Sequence, residues 1–310
     1  MASWQAHVLN MLIRVQMKRL KGSKDLARVR AALSGGSLPA PRGVVYRDAA
    51  LGGVPGEWVL RPDAGGVAPV LLYLHGGGYF ACSRRTHRPI TASFAKAGFD
   101  VFVPDYRLAP EHPFPAAVDD AEAVWSALLE AGRIAGGLTV GGDSAGGGLA
   151  LALMIRLRNA GKMLPAAAVL FSPWTDLAGT GDSLRGNARR DPMFQPQGIP
   201  SVAAWYLNGA DPRTPEASPL YAALGGLPPL LIEVGEREML RDDSTRLAAR
   251  AQAEGVNVTL TVWPVVPHVW QLARGFVPEA RQSLQKAAAF LHRHAGAADA
   301  APGVAAKAGG

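Results

Sequence analysis

The chain has 310 residues, of which 48% are hydrophobic and 18% charged, with a formal net charge of +7 and one cysteine. This length can bury a large core and the composition is ordinary for a globular protein, so a disordered chain is not expected. The lone Cys82 excludes an internal disulfide, and no stretch is apolar for long enough to span a membrane. The basic residues are spread out without a nucleic-acid-binding motif, so the charge indicates a solvated surface.

Residues 1–33 are predicted to be helical, because apolar residues such as Val8, Leu12 and Val15 recur near helical spacing. Basic residues lie among them, and a basic amphipathic helix packs either on a membrane or on its own protein; we favour the second. The segment has no secretory signal pattern. With the lone cysteine, this favours a cytoplasmic protein.

Strand and helix patterns alternate after residue 40, which predicts an α/β fold with a mostly parallel sheet covered by helices on both faces. The eight strand candidates are residues 44–46, 58–60, 70–74, 101–103, 138–140, 168–171, 230–234 and 258–262. The clearest helical patterns are residues 115–130, 144–160, 242–254 and 278–294.

One interval, from about 176 to 219, contains no convincing strand and is rich in Gly, Pro and Arg. We predict an insertion with one helix near 197–207, because long excursions between strands commonly form lids or pockets at the edge of a sheet. The predicted organisation is therefore 1–40 for N-terminal helices, 41–175 and 216–296 for the core, and 176–215 for the insertion. The Ala/Gly-rich tail, 297–310, is predicted to be disordered.

The pentapeptide that runs from Gly142 through Asp143, Ser144 and Ala145 to Gly146 lies between a predicted strand and a helix of small residues. Strand, sharp turn and helix is the setting of a nucleophile elbow, in which a strained backbone lifts the serine hydroxyl clear of the sheet. Glycines fit two positions before and after the serine, where a side chain would collide. An isolated match is weak evidence, because ordinary tight turns use the same residues.

A triple glycine, Gly76-Gly77-Gly78, follows His75 at the end of the central strand 70–74. Such a loop allows backbone amides to approach a ligand closely, and together with the amide of Ala145 they would bind an oxyanion during acyl transfer. His75 is placed to brace this loop by hydrogen bonding.

His268 is the predicted general base, because it lies in the loop between the last strand and the last helix. The other histidines are weaker candidates. His112 lies in a Pro-rich turn, and the rest, away from strand ends, are His7, His87, His292 and His294.

The carboxylate that orients this histidine is expected after the strand 230–234. Glu238, three residues after Gly235, is the preferred candidate and Glu236 is its main rival. Asp242 and Asp243 more naturally begin the next helix, where acidic residues offset the helix dipole.

These motifs, in this order, resemble those of the bacterial hormone-sensitive lipase family of esterases, which has the α/β-hydrolase fold. The matching segments are His75-Gly76-Gly77-Gly78, residues 105–116, Gly142-Asp143-Ser144-Ala145-Gly146-Gly147, Ser172-Pro173-Trp174 and Ala217-Ser218-Pro219-Leu220. The similarity covers about residues 40–295. The family commonly has an Asp-x-Leu segment where this chain has Glu238-Met239-Leu240, and a glycine after the histidine where it has Val269.

The resemblance implies an oxyanion hole formed by the amides of Gly77, Gly78 and Ala145. It also implies supporting roles for His75, Gly76, Asp143 and Glu111, and a cap formed by the N-terminal helices and the insertion. A homodimer formed by pairing at a sheet edge is one further expectation from the resemblance alone.

The function expected from these features is hydrolysis of short- to medium-chain acyl esters by a Ser144–His268–Glu238 triad through an acyl-enzyme. No cofactor or metal is expected, since there is no Cys/His cluster and no dinucleotide-binding glycine pattern. Two alternatives stay open: the same triad acting on amides, lactones, carbamates or peptides, and a small-ligand-binding protein that uses the fold without turnover.

Overall fold

The structure, a computed structural model, describes residues 2–20, 26–34, 40–63, 68–133 and 137–298. Within these ranges, eight strands form one sheet with helices on both faces. The strands are β1 (Val45–Leu51), β2 (Val54–Leu60), β3 (Val70–Leu74), β4 (Asp100–Pro104), β5 (Leu138–Asp143), β6 (Ala168–Phe171), β7 (Leu230–Gly235) and β8 (Val258–Trp263). The helices are α1 (Trp4–Leu20), α2 (Leu26–Leu33), α3 (Arg88–Lys96), α4 (Ala116–Glu130), α5 (Ala145–Asn159), α6 (Ser183–Gly186), α7 (Gly198–Leu207), α8 (Arg241–Ala253) and α9 (Pro278–Ala298).

The sheet has the order β1-β2-β4-β3-β5-β6-β7-β8, and β2 is antiparallel to both of its neighbours. The remaining pairs, from β4 through β8, are parallel. Parallel strands end at the same edge of a sheet, so the loops that follow β3, β5, β7 and β8 meet there. These are the loops that carry the predicted functional residues.

The central strand β3 is buried on both faces, as its continuous apolar sequence predicts. Leu72 and Leu74 belong to the larger core, under α4, α5 and α8, whereas Leu71 and Tyr73 belong to a second core under α3 and α9. The alternation follows from the two-residue period of a strand. The sheet is therefore fixed between two apolar layers, and this gives the loops at its edge a rigid base.

All eight predicted strands are present, and the mostly parallel sheet with helices on both faces is confirmed. The first two strands are longer than predicted, because they form a hairpin whose turn is at Gly52-Gly53. The helix α3 was not predicted. Its apolar residues, such as Ile90 and Phe94, follow a proline and a run of polar residues that read as a loop.

The segment 1–33, predicted to be helical, contains two helices, α1 and α2, and the residues that join them, 21–25, lie outside the described part. The insertion contains α7 at the predicted place and the short α6. The helix α9 continues to Ala298, and the rest of the tail that we predict to be disordered, residues 299–310, lies outside the described residues. None of the helices in the described ranges combines the length and apolar character that a membrane crossing needs.

Both N-terminal helices are attached to the core by polar contacts. In α1, the Asn10 side chain donates to the carbonyl oxygen of Val265 at 2.6 Å, and Ala6 is fully buried. In α2, the Arg30 guanidinium forms an ion pair with Glu111 at 2.5 Å and donates to the carbonyl oxygens of Phe80 and Ala109. Packing of α1 on its own protein, the alternative that we favour from the sequence, is what the structure shows.

Replacing Leu128 by alanine should lower the free energy of unfolding by about 2–5 kcal/mol, because the side chain is fully buried on α4 and its loss leaves a cavity. The matched control is Leu12→Ala on α1, where the side chain is 55% exposed, and the change should stay within about 0.5 kcal/mol. Denaturant unfolding of both variants measures the difference. Equal losses would contradict the assignment of the core.

Candidate active site

Ser144 occupies the turn between β5 and α5 in a strained conformation. Its backbone has φ 53° and ψ −124°, a region that residues other than glycine rarely adopt. The conformation is fixed by the Ser144 amide, which donates to the carbonyl of Phe171 on β6, and by the Ser144 carbonyl, which accepts from Trp174. The sharp turn between strand and helix that a nucleophile elbow requires is therefore present at the carboxyl end of the central strands.

Glycines are required on both sides of Ser144, at 142 and 146, because backbone carbonyl groups lie too close to leave room for a side chain. A Cβ atom on Gly142 would lie 2.3 Å from the carbonyl oxygen of Gly146, and one on Gly146 would lie 2.0 Å from that of Leu74. Neither distance is compatible with a side chain, because the obstructing atoms belong to the backbone.

Glu238 and His268 meet at the same edge of the sheet. His268 Nδ1 lies 2.6 Å from Glu238 Oε2, and both side chains are buried. The other oxygen, Oε1, accepts hydrogen bonds from Ser172 Oγ at 2.8 Å and from the amide of Gly235 at 2.5 Å. The rival Glu236 is half-exposed and its carboxylate lies 3.5 Å from the guanidinium of Arg190. The structure therefore pairs the histidine with Glu238, not Glu236.

The second ring nitrogen of His268, Nε2, is buried and has no hydrogen-bond partner among the described residues. Phe194, from the insertion, packs its ring edge-on against the imidazole with 4.6 Å between centroids. Burial lowers the pKa of His268, but the negative charges of Glu238, Asp191 and Asp143 raise it by more, and the net result is a rise. The imidazole is thus both oriented and made more basic.

Val269, which follows His268, has φ 50°, an unfavourable value for a β-branched residue. Its side chain is buried in the core under α3 and α9 and lines the cavity described below. The glycine that the family resemblance leads one to expect would adopt this backbone without strain. At this position the packing of the valine side chain in the core offsets part of the free-energy cost of its strained backbone.

The glycine loop after β3 is braced by a buried polar group beneath Ser144. Asp143 accepts a hydrogen bond from the Tyr73 hydroxyl at 2.8 Å, and its other oxygen lies 3.1 Å from His87 Nε2. His87 Nε2 also lies 3.3 Å from the amide nitrogen of Gly76. Burial raises the pKa of Asp143, but His87 and Tyr73 lower it by more, so the pKa falls below its ordinary value. These contacts join the elbow to the glycine loop.

His75 contacts the same loop from the other side. Its Nδ1 lies 2.8 Å from the carbonyl oxygen of Gly76, its ring stacks on Tyr106, and the Tyr106 hydroxyl donates to the His75 carbonyl. Burial and the neighbouring His87 lower the pKa of His75 to about 4, so the ring is neutral at pH 7. Glu111, by contrast, lies at the surface, where it pairs with Arg30 rather than with a residue of the site.

Ser144, His268, Gly77 and Gly78 line one cavity of about 930 Å³, a size that suits a small organic ligand. Its walls are mostly apolar, and besides core residues such as Phe80, Trp174 and Val269 they include residues from α1, α2 and the insertion. These residues are Met17 from α1, Val29 and Leu33 from α2, and from the insertion Met193, Phe194, Ile199, Val202 and Trp205. The N-terminal helices and the insertion thus enclose the same space above the sheet edge. No group of three or more potential metal ligands occurs among the residues that the structure describes.

Comparison with known proteins agrees with this geometry. Residues 71–272 match a family model described as an alpha/beta hydrolase fold. An acetyl-hydrolase of Streptomyces hygroscopicus is 42% identical over 300 residues, which cover 96% of this chain and 99% of the relative. An esterase of Acinetobacter venetianus is 35% identical over 249 residues, which cover 80% of this chain and 82% of the relative.

Solved structures match over nearly the whole chain. A crystal structure of an esterase from the bacterial hormone-sensitive lipase family is 42% identical, with a TM-score of 0.90 over 95% of this chain and 99% of that one. The chain belongs to the bacterial hormone-sensitive lipase family of esterases. A structure of a further esterase, EstE5, is 40% identical with a TM-score of 0.91, over 95% of this chain and 100% of that one.

Within this hormone-sensitive lipase family fold, the placement of His87 corrects the sequence analysis, which sets it aside as distant from the strand ends. His87 is buried beside Asp143 because α3, which was not predicted, turns it back under the elbow. Ser172 and Phe194 were also missed as contacts of the Glu238–His268 pair. Ser172 belongs to one of the motifs that carry the family resemblance, and no sequence pattern points to Phe194.

Replacing Gly142 by alanine should destabilise this family member by about 1–3 kcal/mol and lower its activity, because the new methyl group would displace the backbone of the elbow. The control is Gly275→Ala, where a Cβ atom would meet nothing within 4 Å and stability should change by less than about 0.5 kcal/mol. Thermal unfolding and ester turnover measure both variants. An active, fully stable G142A would show that the elbow is wrongly described.

Proposed function

We propose that this family member hydrolyses short- to medium-chain acyl esters with Ser144 as nucleophile, His268 as general base and Glu238 as the acid that orients the histidine. The observation that carries the proposal is the 2.6 Å contact between Glu238 and His268 Nδ1, which leaves Nε2 free at the cavity that Ser144 also lines. This is the arrangement of groups that nucleophilic acyl transfer requires.

In the proposed reaction, rotation of the Ser144 side chain brings its hydroxyl to His268 Nε2, which takes the proton as Oγ attacks the ester carbonyl. The amides of Gly77, Gly78 and Ala145 stabilise the resulting oxyanion. Ala145 is the first residue of α5, so its N–H has no intrahelical partner and points out of the positive end of the helix. Each such donor contributes about 3 kcal/mol to transition-state stabilisation.

His268 then gives the proton to the leaving alcohol as the ester C–O bond breaks, and the acyl group stays attached to Ser144 Oγ. A water molecule then attacks the acyl carbon while His268 takes one of its protons. The bond between the acyl carbon and Ser144 Oγ breaks, His268 returns the proton to Oγ, and the carboxylic acid leaves. Glu238 accepts a hydrogen bond from the Nδ1–H of His268 throughout, and its negative charge stabilises the imidazolium that forms at each step.

The cavity supports the acyl-chain range. Its volume of about 930 Å³ and its apolar lining suit a chain of several carbons, and a structure of EstE5 is described as soaked with p-nitrophenyl butyrate. We infer that α1, α2 and the insertion act as a cap, with the boundaries 1–40 and 176–215 expected from the sequence. A cytoplasmic location and a homodimer formed at a sheet edge stay predictions.

Replacing Ser144 by alanine should lower the turnover of p-nitrophenyl butyrate by at least about 10⁴-fold, because it removes the nucleophile. Labelling of the wild-type protein by an organophosphonate, followed by mass spectrometry of the modified peptide, provides a second measurement. Comparison with butyryl p-nitroanilide separates an esterase from an amidase acting through the same triad. Binding of ester without turnover by the wild-type protein would instead favour a ligand-binding role.

The Glu238→Gln variant should lose about 10³–10⁴-fold in kcat, since a glutamine cannot hold the imidazole in the required tautomer or stabilise its charge. The matched control is Glu236→Gln, two residues away and half-exposed, which should keep its activity within about twofold. If both variants kept wild-type activity, or only E236Q lost it, the assignment of the acid would be wrong.

As the pH is lowered, kcat/KM should fall with a midpoint above the ordinary histidine pKa of about 6.5; we call this fall the acidic limb. The reason is that His268 must be neutral to accept the serine proton, and its pKa is raised. Activity is present above this pKa and is lost as the pH falls through it. In E238Q the limb should move to lower pH, because a negative charge beside the imidazole is gone. A limb that stayed in place would contradict the contribution of Glu238.

A further inference from the structure

The loop that carries Glu238, taken with the end of β7 and the start of α8 as residues 235–242, is hydrogen-bonded by three polar side chains of the insertion. Ser183, Asn187 and Asp191 are spaced four residues apart and are 2%, 3% and 4% exposed. All three form hydrogen bonds to the backbone of that loop. We call Ser183, Asn187 and Asp191 the polar clamp.

Two members of the clamp hold the loop by its carbonyl groups. The Asn187 side-chain amide donates to the carbonyl oxygens of Glu236 at 3.0 Å and of Glu238 at 2.8 Å. Ser183 Oγ donates to the carbonyl oxygen of Met239 at 2.7 Å and accepts from the amide of Asp242 at 3.0 Å. The backbone on both sides of the Glu238 side chain is therefore bonded to the insertion.

Asp191 joins the acid loop to the histidine. One oxygen, Oδ2, accepts from the amide of Met239 at 2.7 Å, next to Glu238. The other, Oδ1, accepts from the amides of Met193 at 2.8 Å and Phe194 at 3.1 Å. Phe194 is the residue whose ring packs against His268. One carboxylate thus fixes the backbone beside the acid and the backbone of the residue that contacts the base.

The negative charge of Asp191 also acts on His268. The charged groups that influence this imidazole come from three elements: Glu238 after β7, Asp191 in the insertion and Asp143 at the end of β5. Burial raises the pKa of Asp191, and the charge of Glu238 raises it further, whereas three amide donors lower it. Two carboxylates in one buried region are unfavourable unless each is well bonded, so a neutral residue would suit a purely structural contact better.

We propose that Asp191, with Asn187 and Ser183, is a positioning residue for Glu238 and His268, so that the insertion sets the geometry of the acid–base pair as well as covering the cavity. The inference rests on the proposed function, in which that pair activates Ser144. Asp191 does not line the cavity and acts through Met239 and Phe194.

The test is Asp191→Asn, which keeps the size of the side chain but removes one acceptor and the charge. We expect kcat for p-nitrophenyl butyrate to fall by about 10²-fold with KM within about twofold, because a displaced acid–base pair affects the reaction more than substrate binding. The acidic limb of the pH profile should also move to lower pH, since a negative charge near His268 is lost.

The matched control is Asp243→Asn, which alters another buried carboxylate, 1% exposed, that also accepts from two backbone amides, those of Thr175 and Asp176. Burial raises the pKa of Asp243 to about 7, so at pH 8 this control also removes a mostly ionised carboxylate. D243N should keep kcat within about threefold, and its pH profile should be unchanged. Thermal unfolding of both variants measures any general loss of stability.

If D191N does not fold, Asn187→Ala tests the same clamp by removing the hydrogen bonds to the carbonyl oxygens of Glu236 and Glu238, with a smaller fall in kcat and an unchanged KM. The proposal is overturned if D191N and D243N lose kcat equally and in proportion to their loss of stability, or if N187A is fully active where D191N is unfolded. Failure of the proposed function is recognised separately, because S144A would then retain turnover.

Discussion

The site depends on a carboxylate, Glu238, placed in the protein interior without exposure to water. Removing a charge from water costs several kcal/mol unless its oxygens are fully hydrogen-bonded, and this constraint explains much of the surrounding structure. Ser172 Oγ and the Gly235 amide satisfy one oxygen, and His268 satisfies the other. Each of these partners comes from the end of a different strand, so the sheet must be correctly registered for the carboxylate to be accommodated.

The end of β7, at Gly235, is packed closely by two neighbours. A Cβ atom there would lie 2.5 Å from the carbonyl oxygen of Val266 and 2.9 Å from Glu238 Oε1, because the glutamate side chain folds back on its own loop. Only a glycine fits at this position. A glutamate has one more rotatable bond to restrain than an aspartate, which is consistent with the number of contacts that hold residues 235–242.

The sheet, the elbow and the position of the histidine could be predicted because each depends on a local pattern. Apolar runs indicate buried strands, and the glycines around Ser144 reflect backbone contacts that exist whatever surrounds them. His87, Phe194 and Asp191 could not be predicted in the same way. Their contacts depend on how α3 and the insertion fold back onto the sheet, and short-range periodicity carries no information on such long-range packing.

The selection of Glu238 over Glu236 lies between these cases. Loop position favoured it, yet both residues follow β7 closely and either side chain is long enough to approach a neighbouring loop. The structure distinguishes them by burial and by donors from β6 and the end of β7. An acid of this kind is recognised by its surroundings, and these come from segments more than 60 residues apart.

The order of the strands along the chain has a consequence for biosynthesis. Ser144 emerges from the ribosome about 90 residues before Glu238, and His268 follows only after β8, the last strand among the described residues. The contacts that fix the backbone of Ser144 come from segments that precede residue 175, so a nascent chain can contain all of them before His268 is made. Under the proposed mechanism, a chain released before His268 would therefore carry an inert serine.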